Sequence, residues 1–328
     1  MKPEYLLATL VAVAVGGIAV VMSLDRHFTA TPPRCEGQPF DLVTAPGGRS
    51  PYIRLAADGH TGPFLLDYGA TTSSLSRDVF QAEPAGGGKV VIDTFSLPSF
   101  PTGEFNQVKY TIDPAPRGGQ LGVVGTDFLS RLTTDFRFRD SGGDVVIGAK
   151  PCDPDLLRAR GLIAVRETGF FSSDPQRVAM GRGNVPVLFL RIGAVSAWAQ
   201  IDTGYDDRES PPSIDVNEAF YRELSASGLA LKRAGDSHVA TCEGGQTREV
   251  YHAPANSIVL ATDSGRELDE LADVALIRKA ANGCGGIANL FEPAAQLGVS
   301  IAVRLGTIVF DPWSEVVWVA PRGQRTAP

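Results

Sequence analysis

Short apolar runs broken by glycine set the pattern of this chain. Residues 52–76 read YIRLAADGHTGPFLLDYGATTSSLS, with apolar runs at 52–55 and 64–66 on either side of a glycine-containing turn. That pattern predicts a β-hairpin, and LSRDVF at 75–80 predicts a short helix after it. From Val185 the pattern returns in VPVLFLRIGAVSAWAQIDTGYDD. An apolar strand, a turn at Gly193 and a second strand alternating through Trp198, Gln200 and Asp202 lead to VNEAFYREL (216–224), a predicted helix. Each copy continues in parallel. Val123-Val124-Gly125 and Gln296-Leu297-Gly298 each precede a short helical stretch and two further strands.

Two copies of one β-rich unit, each over a hundred residues long, are the strongest organisational signal in the chain. They divide it into an N-terminal segment with a stalk (1–30), a first lobe (31–150), a Pro/Gly-rich interlobe linker (151–184) and a second lobe (185–328). The predicted fold class is all-β, two tandem related lobes with short helices. Thirty-six glycines and 23 prolines, scattered along the chain, suit such a turn-rich architecture.

Charge and cysteines narrow the setting. The net charge of −7 comes with no basic patch, which argues against a nucleic-acid partner. Residues 6–24 carry no charge over 19 positions, enough for a helix to cross a hydrocarbon core of roughly 30 Å. They read as a signal anchor, with a cleaved signal peptide as the rival, and predict an exported, single-pass protein whose folded region faces the periplasm or a lumen. Cys35, Cys152, Cys242 and Cys284 show no CxxC pair and no histidines at ligand spacing, so no zinc site is expected. An even count behind an export segment predicts two disulfides, against four free thiols. Cys35–Cys152 would bracket the first unit, and Cys242–Cys284 would lie within the second.

The candidate chemistry rests on Asp67 and Asp202, which occupy the same place in the two copies. Equivalent turns near a two-fold axis can bring the carboxyls together, where one keeps its proton to higher pH than the other. Such a pair supplies a base for water and an acid for an amide. Gly69 and Gly204 permit the tight turns and a close backbone approach. The other Asp-Ser-Gly tripeptides, at Asp140 and Asp263, read as ordinary turns. No Gly-x-Ser-x-Gly elbow, His-Glu-x-x-His pair or Walker spacing is present, and His27, His60, His238 and His252 have no nucleophile at a recognisable spacing.

With AQIDTGYDD, FLLDYGAT and the two downstream glycine motifs in view, the chain resembles aspartic proteases of the pepsin and retroviral-protease clan over about residues 40–320. The lobes run in tandem as in pepsin, in a short form more like fused retroviral-type protomers. The resemblance implies a bilobal acid-protease fold and a membrane-anchored, monomeric endopeptidase acting on peptides or proteins without a cofactor. It implies Asp67 and Asp202 as catalytic, with Tyr68, Gly69, Ala70, Thr71, Thr203 and Gly204 supporting the turns and Asp206 a candidate for substrate binding. Asp207 follows it as a second acid. The sequence departs from the family at Tyr68, where a Thr or Ser hydroxyl joins the lobes, and at Tyr205, where a small residue is usual. Flap candidates are the hairpins expected at 88–100 and 237–252, neither with a flap tyrosine; Tyr110 reads as part of the next strand. These departures keep a second reading in view, an inactive pepsin-like scaffold whose cleft holds a partner.

Overall fold

The computed structural model describes residues 33–43, 50–81, 88–96, 108–113, 119–139, 142–165, 170–171, 184–205, 212–241, 244–262, 264–280 and 286–320. Residues 6–24, Cys242, Cys284, Asp206, Asp207, Asp140 and Asp263 lie outside them. Among the described residues, no helix is long and apolar enough to cross a membrane.

The two hairpins form where the sequence placed them. Tyr52–Ala57 pairs with His60–Leu66, turning at Asp58-Gly59, both with positive φ. Val185–Ile192 pairs with Val195–Ile201, turning at Gly193. Aspartate followed by glycine at positive φ is what a two-residue hairpin turn demands. In each copy the second hairpin strand then runs parallel to a distant one: Phe64, Leu65 and Leu66 lie beside Gly122, Val123 and Val124, and Trp198 to Ile201 beside Ala294 to Leu297. A strand that follows the Asp turn, Ser74–Ser76 or Ser213–Asn217, pairs antiparallel with the same partner. Its other edge pairs parallel with Val108–Asp113 or Ala275–Lys279. The two copies therefore share one topology, and the fold is bilobal and all-β apart from short helices.

A six-stranded sheet joins the lobes. Gln38–Asp41, Gly142–Gly148 and Thr133–Arg139 come from the first copy, and Thr307–Asp311 and Val316–Val319 from the second. The two copies meet where Thr133–Arg139 pairs antiparallel with Thr307–Asp311. Ile163–Val165, from the stretch between the lobes, adds the last strand by pairing with Val316–Val319. Ahead of it, Pro154–Ala159 forms a helix with proline in its first turn and Asp153 as N-cap. Phe136, Phe310, Val145 and Val317 belong to one apolar core continuous with both lobes.

The Cys35–Cys152 disulfide forms, with Cα atoms 5.1 Å apart across a separation of 117 residues. It packs with Leu157, Leu162, Val309 and Trp318 in a smaller core. In the chain-entropy account a loop of that length is worth on the order of 4–5 kcal/mol.

Four local expectations are corrected. Residues 75–80 form no helix: Ser74–Ser76 is a strand, followed by one turn in which Phe80 N–H donates to the Ser76 carbonyl at 2.9 Å. Ladder bonds on both edges of that strand override its local propensity. Among the described residues of the segment expected as a hairpin at 88–100, Lys89–Ile92 pairs with Val108–Asp113 and Phe95–Ser96 with Tyr52–Ala57, not with each other. The second-lobe hairpin is longer than expected, Lys232–Thr241 against Gly244–His252 with a bulge between Arg233 and Gly235. The helix expected at 216–224 runs Glu218–Ala226, with Asn217 Oδ1 accepting the Phe220 N–H at 2.9 Å.

Candidate active site

Each candidate aspartate is held by its own copy in the same way. Asp67 N–H donates to the Val124 carbonyl at 2.9 Å, and Asp202 N–H to the Leu297 carbonyl at 3.0 Å. Asp67 Oδ1 accepts the N–H groups of Gly69 (2.7 Å) and Ala70 (3.1 Å). Asp202 Oδ1 accepts those of Gly204 and Tyr205, both at 2.9 Å. The turns are then locked to the glycine motifs behind them, Thr126 N–H on the Ala70 carbonyl (2.8 Å) and Val299 N–H on the Tyr205 carbonyl (2.9 Å). Ser73 ties the first turn further. Its hydroxyl donates to Asp127 Oδ1 at 2.7 Å and accepts the Gly125 N–H at 2.8 Å.

The two turns face each other across the lobes. A Cβ on Gly69 would lie 2.1 Å from Asp202 Cγ, and one on Gly204 would lie 2.1 Å from Asp67 Oδ2. The glycines are there for space: each carboxyl occupies the volume that a side chain on the opposite turn would need. Burial first, then the charge of Asp67, pushes the Asp202 carboxyl well above the ordinary carboxylate range, against the pull of the Gly204 and Tyr205 N–H groups.

Thr203 makes the cross-lobe link. Its buried hydroxyl donates to the Leu66 carbonyl at 2.7 Å and accepts the Tyr68 N–H at 3.0 Å. Valine at this position keeps the shape and leaves both backbone groups unpaired, at about 1–3 kcal/mol each. Thr203→Val is therefore expected to lower stability by about 2–6 kcal/mol in a denaturant titration; a loss under about 0.5 kcal/mol would show that the link carries no weight.

Tyr68 does not repeat the Thr203 contact. Its fully buried side chain turns into the joining sheet, the phenol hydrogen-bonded to the Thr134 hydroxyl at 2.8 Å and the ring 4.1 Å from that of Phe310. The first half of the link is thus replaced by packing between the copies. Tyr205 is half-buried, its hydroxyl 3.0 Å from Ser213 Oγ and donating to Asp215 Oδ1 at 3.3 Å. Thr71 is exposed. Tyr110 is buried and stacks on Phe128 with ring centroids 5.6 Å apart, a core residue.

One contact to the pair went unforeseen. Gln296 Nε2 donates to Asp202 Oδ2 at 2.5 Å, and behind it lie Lys279, Asp215 and Arg248, all buried. The signal was in plain view: a glutamine fills the first apolar position of the second glycine motif.

No family model matches the chain, and no curated protein matches it. Among solved structures it is similar to the crystal structure of an aspartic proteinase from Irpex lacteus, at 14% identity and a TM-score of 0.47, over 88% of this chain and 99% of that one. A likeness at that level says nothing about activity, and the chemistry of the site follows from its own geometry.

Proposed function

We propose that this protein is an aspartic endopeptidase in which Asp67 and Asp202 together activate a water molecule against a peptide bond. The observation that carries the reading is the reciprocal fit of the turns, each glycine leaving room for the opposite aspartate. A pair holding one proton has both functions that amide hydrolysis requires. The ionised carboxylate takes a proton from water as its oxygen bonds to the carbonyl carbon, and the protonated carboxyl gives its proton to the carbonyl oxygen. Collapse of the tetrahedral species breaks the C–N bond, the pair giving its proton to the leaving nitrogen and taking one back from a hydroxyl of the diol as the C=O re-forms, so that it again holds one proton. The substrate is a peptide or protein segment lying between the lobes, and one chain carries both aspartates, so a monomer suffices. Residues 6–24 would anchor the protein on the exported side of a membrane, and the Cys35–Cys152 disulfide is consistent with an oxidising compartment.

The test is a pH profile of kcat/KM on a peptide that the protein cuts. A bell is expected, because the pair works only with one proton on it. The acid limb marks double protonation and the alkaline limb double ionisation. With the Asp202 carboxyl raised, the alkaline limb lies above about pH 4, the ordinary carboxylate value. A rate that climbs to a plateau above neutrality would assign the chemistry to another base and overturn the reading.

A further inference from the structure

The two halves of the candidate site are not equal, and the inequality lies behind Asp202. Strand register makes Gln296 the counterpart of Val123: one sits beside Gln200, the other beside Leu65, each one residue before the position that holds the aspartate's N–H. Asp215 correspondingly matches Ser74, and Lys279 matches Asp113. The second copy has therefore placed a glutamine, an aspartate and a lysine where the first has a valine, a serine and an aspartate.

These residues form a connected, buried chain. Lys279 Nζ donates to Gln296 Oε1 at 3.4 Å, and Gln296 Nε2 donates to Asp202 Oδ2 at 2.5 Å. The ammonium has only donors, so Gln296 must turn its carbonyl to the lysine and its amide N–H to the carboxylate. Lys279 faces Asp215, Arg248 and Asp202. Asp215 in turn is paired with Arg248 at 2.7 Å. The turn Gly286–Asn289 covers the chain; a Cβ on Gly286 would stand 3.6 Å from both Gln296 Oε1 and Lys279 Nζ. Asn217 holds that turn down, donating to the carbonyls of Ile287 (3.3 Å) and Glu292 (2.8 Å).

A carboxylate offers about four acceptor positions. On Asp202 the N–H groups of Gly204 and Tyr205 take two at Oδ1, and Gln296 takes one at Oδ2. One is left, and it belongs to the contact with Asp67.

We infer that Gln296 is a positioning residue of the aspartate pair and that Lys279 orients it. Their chain fills the rear of Asp202 and confines the proton shared with Asp67 to a single place on that carboxyl. The inference rests on the proposed pairing of Asp67 with Asp202, and it makes the pair asymmetric: the second lobe adds a side-chain donor, Gln296, at the position where the first lobe carries Val123.

The test reads the carboxyls directly, by carbon-13 NMR titration of aspartate-labelled full-length protein, alongside the alkaline limb of the pH profile. Gln296→Met keeps length and volume and removes the donor. Losing a hydrogen bond to the ionised form of Asp202, the carboxyl that gives up its proton last, should move the upper apparent pKa of the pair up by about one pH unit. Lys279→Met, which leaves Asp215 with Arg248, should move it the same way by less. A merely structural role for either residue would change the melting temperature and leave the titration in place. An unmoved titration in folded Gln296→Met overturns the inference, and an unmoved titration in Lys279→Met overturns the orienting role, whichever variant folds. The titration needs no turnover. Should wild-type protein cut no peptide while the shift is present, the protease reading fails and the positioning chain stands.

Discussion

Asp202→Asn is expected to abolish the proposed peptide cleavage, and so is Asp67→Asn, each lowering kcat/KM about a thousandfold or more. Neither copy can replace the other, because the chemistry needs an acid and a base at once and an amide is neither at working pH. The effect on stability runs the opposite way. Asp202 has its carboxyl pushed up by burial and by Asp67, so its ionised form is disfavoured in the folded protein. A carboxyl raised in this way costs stability above its folded pKa, and the cost disappears as pH falls below the unfolded value. Asparagine removes that cost. Asp202→Asn is therefore expected to melt no lower than wild type at pH 7, and the gain should vanish in acid. A variant that lost activity by unfolding would melt lower, and would say nothing about the pair.

The largest stability effect is expected away from the cleft, at Asp135. This residue lies in Thr133–Arg139, the strand through which the two copies meet, and is fully buried. Arg160 donates to its carboxylate from both terminal nitrogens, at 2.7 and 2.9 Å. Arg34 adds its Nε at 2.7 Å and also reaches the Asp135 carbonyl and Asp144. Burial works against the charge, but the two guanidiniums outweigh it and hold the carboxyl below its ordinary value. Removing the anion leaves the buried Arg160 without its carboxylate and Arg34 with Asp144 alone, so Asp135→Asn should cost about 3–5 kcal/mol. The sign of the pH dependence follows from the depressed pKa. The contribution is complete above about pH 4, the unfolded value, and is lost as pH falls through the lower folded value. The stability gap between wild type and variant should be constant from pH 5 to 8 and close in strong acid. A gap that is absent at pH 7 would remove the ion triad from the account.

Much of this architecture can be read along the chain, because the copies are built from local patterns. Asp58-Gly59 and Gly193 mark their hairpins, and the in-phase Asp67 and Asp202 turns stand out against single tripeptides elsewhere. Pairing between distant segments is less legible. Nothing near Thr133–Arg139 signals that its neighbour is Thr307–Asp311, and nothing at Ile163–Val165 reveals a strand inside an apparent linker. LSRDVF looks helical on its own and becomes strand and turn only because ladders form on both sides of Ser74–Ser76. Tyr68 could be flagged as a departure, but its direction depends on Thr134 and Phe310, which are remote in sequence. The charged groups are the least legible. Arg34 and Arg160 converge on Asp135 from separations of 101 and 25 residues. Gln296 and Lys279 acquire a meaning only when the strands place them behind Asp202.

The central claim is that two carboxyls, one from each copy, make one hydrolytic site. The most direct test incubates the full-length protein with a diverse peptide pool from pH 3 to 8, beside Asp67→Asn and Asp202→Asn, and maps every new terminus by mass spectrometry. Cuts made by wild type and missing with both variants are the predicted result, and would show that packing by Tyr68 substitutes for the absent hydroxyl. Cuts that survive in either variant, or a folded wild-type protein that cuts nothing at any pH, would contradict the claim and leave the space between the lobes as a place to bind a partner.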